Sequence, residues 1–123
     1  MSNKSGGWIG VDLDGTLAHY EGWKSVNHIG EPIQPMLDRV KQWLLEGIEV
    51  RIFTARVHGH LSPLIGGGLN DTITPIEKWC LKHIGQVLPV TNVKDFGMYE
   101  LLDDRAVQVI PNTGIAIQDR IEK

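Results

Sequence analysis

The chain has 123 residues, of which 41% are hydrophobic and 22% charged, and its formal net charge is −3 at pH 7. These values are typical of one globular domain. The dispersed basic residues give no electrostatic footprint of a nucleic-acid or membrane binder, although an acidic total does not exclude a nucleic acid gripped locally. A single cysteine, Cys80, excludes an internal disulfide. Because residues 1–7 are polar and glycine-rich and no apolar run reaches membrane-spanning length, we expect a flexible N-terminus and a cytoplasmic protein.

The first predicted element is a buried strand over residues 8–14, an apolar run that ends in Asp12 and Asp14. Residues from about 17 to 31 are rich in turn formers and aromatics. This composition predicts a small hairpin or loop, here called the flap, beside the end of the strand. A helix is predicted over 35–47, because a proline suits its start, apolar residues recur three and four apart, and a glycine ends the run.

A second strand is predicted over 48–54 and is followed by an irregular stretch at about 57–72. That stretch contains three consecutive glycines, and we expect it to be a mobile loop. A second helix is predicted over 74–85, since Thr74 and Glu77 have the spacing of a capping box and a glycine ends the run. Further strands are predicted at 86–90, 98–104 and 106–110.

The alternation of strands and helices predicts an α/β fold, a Rossmann-like parallel sheet of about five strands with helices on both faces. In this prediction residues 8–123 form a single domain. Right-handed crossovers place the carboxyl ends of all parallel strands along one edge of the sheet, which is where such sheets bind ligands.

Polar side chains follow four of the predicted strands at this edge. They are Asp12 with Asp14, Thr54, Lys94, and Asp103 with Asp104. Four carboxylates brought close together repel one another, and desolvation makes the crowding worse. A divalent cation relieves this repulsion, and all-oxygen ligands favour a hard ion such as Mg²⁺ over zinc. The sequence therefore predicts a magnesium site at the strand ends.

Three short motifs resemble those of the haloacid dehalogenase-like (HAD) hydrolases. "DLDGTL" is similar to the first motif of that family, "RIFT" to the second, and "LLDD" to the fourth. Lys94 stands where a compact member of the family places its third-motif lysine, with Lys78 and Lys82 upstream as competitors for that role. The resemblance spans roughly residues 8–110.

The resemblance implies an activity and a role for each of these residues. Asp12 would be the nucleophile that forms an aspartyl-phosphate, and Asp14 would act as general acid and base. Thr54, Lys94 and the backbone N–H groups of the turn around Gly15 would bind the phosphoryl oxygens.

The resemblance also implies a set of metal ligands. Mg²⁺ would be held by Asp12, by the backbone carbonyl of Asp14 and by Asp104, with Asp103 bound directly or through water. The family's ATPases carry threonine at the position of Asp14, so an aspartate there favours a phosphatase.

Members of this family often insert a cap domain after the first or the second motif. Here 39 residues separate Asp14 from Thr54, and another 39 separate Thr54 from Lys94, which leaves no room for a cap. The chain therefore resembles the compact, capless phosphatases. An open site suits a phosphorylated small molecule enclosed by a homo-oligomer, or a phosphate at a nucleic-acid end, where Arg56 would contact the substrate beyond its phosphate.

Two alternatives have a different function. A signalling receiver domain is also a small parallel α/β fold with paired acids, a threonine and a lysine at its strand ends. Receivers need a phosphate-accepting aspartate at the end of a middle strand, whereas the second strand here ends in Thr54. The other alternative is a catalytically silent metal-binding fold that acts as an interaction module.

Overall fold

The computed structural model describes residues 6–57 and 71–117. Most of the predicted mobile loop and of the predicted flexible N-terminus lies outside the described residues. The described residues form two helices and one four-stranded parallel sheet with the strand order β3-β2-β1-β4. The elements are β1 (Trp8–Val11), α1 (Gln34–Leu45), β2 (Glu49–Phe53), a 3₁₀ turn (Ala55–Val57), α2 (Ile73–His83), β3 (Val90–Thr91) and β4 (Met98–Leu102). The predicted α/β class with a parallel sheet is confirmed.

Both helices form where the sequence predicts them, but α2 begins differently. Its N-cap residue is Thr72, and Thr74 lies in the first turn, so the predicted capping box at Thr74 and Glu77 is wrong. The Asp71 carboxylate accepts hydrogen bonds from the backbone N–H groups of Ile73 and Thr74, both at 3.0 Å. Because this carboxylate satisfies the first free donors, the helix starts one residue earlier than the pattern indicates.

The core lies on one face of the sheet. Ile9 and Val11 of β1 and Val50 and Ile52 of β2 alternate with residues that point to the opposite face, and all four are almost completely buried. Both helices bury their apolar residues in the same cluster, namely Leu37, Val40, Trp43, Ile76, Trp79 and Cys80. The crossovers from β1 to β2 and from β2 to β3 step in the same direction, and right-handed crossovers then place both helices on one side. The prediction of helices on both faces is therefore wrong for the described residues.

The opposite face carries the return connection, residues 92–97, which leads from β3 at one edge of the sheet to β4 at the other. Trp8 lies on this face, and its indole N–H donates to Asp95 Oδ1 at 2.9 Å. The guanidinium of Arg51 stacks 4.4 Å from the centre of the Trp8 ring. These contacts fix the connection across the sheet without a helix.

The sheet has four strands rather than about five in the described residues. Residues 106–110 carry the alternating pattern of a strand but make only one isolated bridge, between Val109 and Ala116. The chain folds back just after them through Asn112 (φ +65°) and Gly114 (φ +76°). This tight return pairs the segment with its own continuation and not with β4.

Neither described helix is long and apolar enough to cross a membrane.

Candidate active site

The first and last strands of the sheet bring three carboxylates together. Asp12 follows β1, and its backbone N–H donates to the carbonyl of Leu102 at the end of β4 (2.9 Å). Asp103 and Asp104 follow Leu102 directly. One carboxylate oxygen from each of these three aspartates lies within 4.8 Å of the others. These residues are here called the acid cluster.

Gly15 allows the acid cluster to close. Its φ is +93°, and a Cβ atom at this position would lie 2.5 Å from Asp104 Oδ2. Any side chain here would be strained and would displace the Asp104 carboxylate. Besides its predicted role in phosphate binding, Gly15 therefore leaves room for the Asp104 carboxylate, which follows β4.

Thr16 is a site residue that the sequence reasoning missed. Its hydroxyl accepts a hydrogen bond from the backbone N–H of Asp104 at 2.9 Å. It lies 3.2 Å from both Asp12 Oδ2 and Asp104 Oδ1, and its single proton can be donated to one of them at a time. Only 8% of Thr16 is exposed. The signal in the sequence was a small hydroxyl residue directly after Gly15.

The acid cluster is electrostatically crowded. The pKa of Asp12 is raised from 3.8 to about 7. Desolvation by burial is the largest cause, a hydrogen bond with Asp104 and the charges of Asp103 and Asp104 also raise the pKa, and a hydrogen bond with Thr16 lowers it. Without a cation the cluster therefore holds a proton near neutral pH. Three hard oxygen donors that repel one another fit a divalent cation such as Mg²⁺.

Asp14 lies in the opposite electrostatic situation. The Nε and Nη2 groups of Arg56 donate to its two carboxylate oxygens at 2.7 and 2.9 Å. Arg56 also donates to the flap carbonyls of Val26 (3.3 Å) and His28 (2.9 Å), and its side chain is only 6% exposed. The Asp14 carboxylate is thus separate from the acid cluster. The role of its backbone carbonyl as a metal ligand stays a prediction, as does the contact of Arg56 with a substrate.

Thr54 is buried at the end of β2. Its backbone N–H donates to the carbonyl of Thr91 in β3 (3.0 Å), and its hydroxyl oxygen accepts from the backbone N–H of Arg56 (3.1 Å). These bonds fix the 3₁₀ turn that carries Arg56. Thr54 therefore stands at the predicted strand end, where it also helps to position the Arg56–Asp14 pair.

A cleft of about 1030 Å³ joins these groups. Its polar lining includes Asp12, Asp14, Thr54, Arg56, Asn92, Asp103, Asp104 and Arg105. Its apolar lining includes Phe53 of β2 and the flap residues Tyr20, Trp23 and Val26. The flap aromatics are a second feature of the site that the sequence reasoning did not single out.

The lysines are placed around this cleft rather than in it. Lys94 is exposed on the return connection, two residues after the cleft residue Asn92, and does not line the cleft. Lys78 and Lys82 of α2 line a neighbouring cavity of about 460 Å³. Val26 of the flap borders both cavities.

The fold and the site together define a parallel α/β protein with an acidic cluster at the carboxyl edge of its sheet. Comparisons with protein families, with curated proteins and with solved structures find no match for the chain.

Proposed function

We propose that this chain is a Mg²⁺-dependent phosphatase that hydrolyses a phosphomonoester through an aspartyl-phosphate intermediate. The observation that carries the proposal is the meeting of Asp12, Asp103 and Asp104 within 4.8 Å, in a cleft that also holds Thr54 and Asp14. Three carboxylates crowded together at the strand ends repel one another, and a divalent metal bound between them would relieve this repulsion. A bound Mg²⁺ would neutralise negative charge on the acids and on a phosphoryl group.

The residues of the chain then divide the reaction between them. An oxygen of Asp12 attacks phosphorus, and the bond between phosphorus and the ester oxygen breaks. Asp14, after taking up a proton from solvent, gives it to the departing alcohol and later takes one from the water that attacks the aspartyl-phosphate. The hydroxyl of Thr54 and the backbone N–H groups of the turn at Gly15 bind the phosphoryl oxygens.

Arg56 sets a condition on this scheme. It holds both oxygens of Asp14 in hydrogen bonds. Asp14 has to give up at least one of these bonds to handle a proton at the substrate. We therefore assign Arg56 to positioning Asp14 and the flap rather than to the reacting phosphate.

The substrate class follows from the open form of the site and stays a proposal at this level. The candidates are phosphate at a nucleic-acid end and a small phosphorylated metabolite, the latter enclosed where two copies of the chain associate. Cys80 is a free and buried cysteine, which fits a reducing compartment. We therefore propose that the protein is located in the cytoplasm.

The test is hydrolysis of p-nitrophenyl phosphate with and without Mg²⁺. We expect turnover by the wild-type protein with Mg²⁺, none with a chelator, and a loss of roughly 10⁴-fold or more in Asp12→Asn. Asp38→Asn is the matched control, because Asp38 is an exposed aspartate on α1. Equal turnover by Asp12→Asn and Asp38→Asn, with both variants folded by circular dichroism, would contradict the nucleophile assignment. A stable phosphoryl-protein without release of phosphate would indicate a receiver instead.

A second measurement identifies the lysine that assists the reaction. Lys94→Ala and Lys78→Ala are compared in the same assay, since one lysine is near the cleft residue Asn92 and the other lines the neighbouring cavity. We expect Lys94→Ala to lower kcat about 10²-fold, because it removes a positive charge that offsets the phosphoryl group in the transition state. A loss of that size in Lys78→Ala alone would move the role to α2.

A further inference from the structure

Two aromatic side chains of the flap are exposed in the same cleft as the acid cluster. Tyr20 is 48% exposed and Trp23 is 55% exposed, and both line the cleft with Asp12 and Asp14. A single exposed aromatic residue on a protein surface needs no explanation. Two on one flap, beside converging acids and a buried arginine, form a surface that a ligand would cover.

The indole of Trp23 is held in place before any ligand arrives. The guanidinium carbon of Arg56 lies 4.9 Å from the centre of the ring. The same guanidinium is fixed by Asp14 and by the flap carbonyls of Val26 and His28. The cation–π contact occupies one face of the indole, and more than half of the side chain remains exposed. A fixed ring loses little conformational freedom when a second ring stacks on it.

Trp23 is linked through Arg56 to the proposed acid–base residue rather than to the proposed nucleophile. Asp12 is the proposed point of attack, whereas Trp23 contacts Arg56, which in turn pairs with Asp14. Since Asp14 protonates the leaving group in the proposed reaction, a ring that stacks on Trp23 belongs to the leaving group, and the base of a nucleoside, joined to the ester oxygen through its sugar, is such a ring.

We propose that the leaving group of the reaction is a nucleoside and that its base stacks on the flap aromatics Trp23 and Tyr20. This inference rests on the proposed phosphatase function and names its substrate class. Stacking on aromatic side chains accepts any base, because every base has a π-face. We therefore expect little preference among the bases and a strong preference for having one.

The test compares two substrates that differ only in the base, adenosine 5′-monophosphate and ribose 5-phosphate. We expect the wild-type protein to show a kcat/KM about 5- to 100-fold higher for the nucleotide, the range that stacking of one base supplies. The ratio of the two kcat/KM values should fall toward one in Trp23→Ala and be largely kept in Trp23→Phe. Phe96→Ala is the matched control, because Phe96 is fully exposed and lies outside the cleft lining. It should keep the wild-type ratio.

Three results would overturn the inference. The first is a wild-type ratio near one, and the second is an equal ratio in Trp23→Ala and Phe96→Ala. The third is a kcat/KM for O-phosphotyrosine above that for the nucleotide, which would place the ring at the phosphate instead of on the flap. A 5′-phosphorylated oligonucleotide is assayed beside the free nucleotide. Both carry the base, so the ratio of their kcat/KM values identifies whether the free nucleotide or the nucleic-acid end is the source of the nucleoside.

Direct binding separates this inference from the proposed function. If no phosphomonoester is hydrolysed, the phosphatase proposal fails, but calorimetric titration with adenosine 5′-monophosphate and ribose 5-phosphate still measures the contribution of the base. We expect binding of the nucleotide to be weakened about 5- to 100-fold by Trp23→Ala. Equal binding of the two compounds to the wild-type protein would overturn the stacking site by itself.

Discussion

Asp12 and Asp14 are separated by one residue, yet they lie in opposite electrostatic surroundings. Asp12 meets the carboxylates of Asp103 and Asp104, which follow the neighbouring strand β4, and its pKa is raised to about 7. Asp14 meets the guanidinium of Arg56, which neutralises it within the protein. The negative charge of Asp14 is therefore neutralised by a side chain of the protein. The negative charge of the acid cluster needs a proton or an added cation to neutralise it. The comparison teaches that the chain pairs Asp14 with its own positive charge and leaves the acid cluster as the place for the proposed cation.

Removing the positive charge of Arg56 should have the largest effect on the free energy of unfolding. Arg56→Met leaves Asp14 without its partner and the Val26 and His28 carbonyls without a donor, so we expect the free energy of unfolding to fall by about 3 kcal/mol. Urea denaturation at neutral pH measures it.

Arg39→Met serves as the control for Arg56→Met, because Arg39 is exposed on α1 and stacks on Trp43. It should change the free energy of unfolding by less than about 1 kcal/mol. Combining Arg56→Met with Asp14→Asn should recover part of the lost stability, since both members of the pair are then removed. Similar losses in the two arginine variants would mean that Arg56 does not balance Asp14.

The next effect concerns Gly15, whose missing side chain leaves room for the Asp104 carboxylate. Gly15→Ala and Gly47→Ala both place a side chain at positive φ, +93° and +80°, and each should cost about 1 kcal/mol in stability. A Cβ at Gly47 meets nothing within 4 Å, whereas one at Gly15 meets the Asp104 carboxylate. We therefore expect only Gly15→Ala to weaken Mg²⁺ binding, by about 10- to 100-fold, as followed by the rise of Tm during Mg²⁺ titration. An equal Mg²⁺ response in both variants would show that the acid cluster does not need this glycine.

The smallest effect is a pH dependence of the protein without metal. The folded-state pKa of Asp12 lies above its unfolded value of 3.8 because of burial, so the folded state binds the proton more tightly than the unfolded chain. Stability from this group is therefore present at low pH and is lost as the pH rises from about 4 to about 7. With a chelator present, the Tm of the wild-type protein relative to Asp12→Asn should fall by a few degrees between pH 5 and pH 8.

Two additions sharpen the pH measurement. Mg²⁺ at pH 8 should restore the lost Tm in the wild-type protein, because a bound cation replaces the proton as the neutralising charge. Asp38→Asn, measured beside Asp12→Asn, should follow the wild-type pH profile, since Asp38 is exposed. A difference between wild type and Asp12→Asn that is constant from pH 5 to pH 8 would contradict the raised pKa.

The elements that the sequence predicts well are those decided by local pattern. Both helices lie within two residues of the predicted bounds, and the acids of the first and fourth predicted strands meet because parallel strands end at one edge. The prediction of a fifth strand in the sheet was wrong for the described residues. The alternating pattern at 106–110 is the same whether the segment joins the sheet or pairs with its own continuation. The deciding residues, Asn112 and Gly114, come after the pattern ends.

Side-chain partners were harder to predict than elements. The contact of Arg56 with a nucleic-acid substrate stays a prediction, and its bond with Asp14, 42 residues away along the chain, was not indicated by any motif. Such a pairing depends on where the flap folds, and the flap has no periodic pattern from which to predict it. The position of Trp23 in the cleft also depends on how the flap folds, so it could not be predicted from a periodic pattern either. The sequence therefore indicates which strand ends meet but not how the side chains there are shared.

The acid cluster is assembled from the two ends of the sequence. Thr16 and Asp104, which bind each other, stand 88 positions apart, and β4 completes the sheet by pairing with β1. During synthesis the ribosome releases Asp12 long before it has made Asp103, so a nascent or truncated chain that lacks the last strand has only one of the three carboxylates. Binding of the proposed divalent ion would thus report that translation has passed β4 and that the pairing of β1 with β4 has formed.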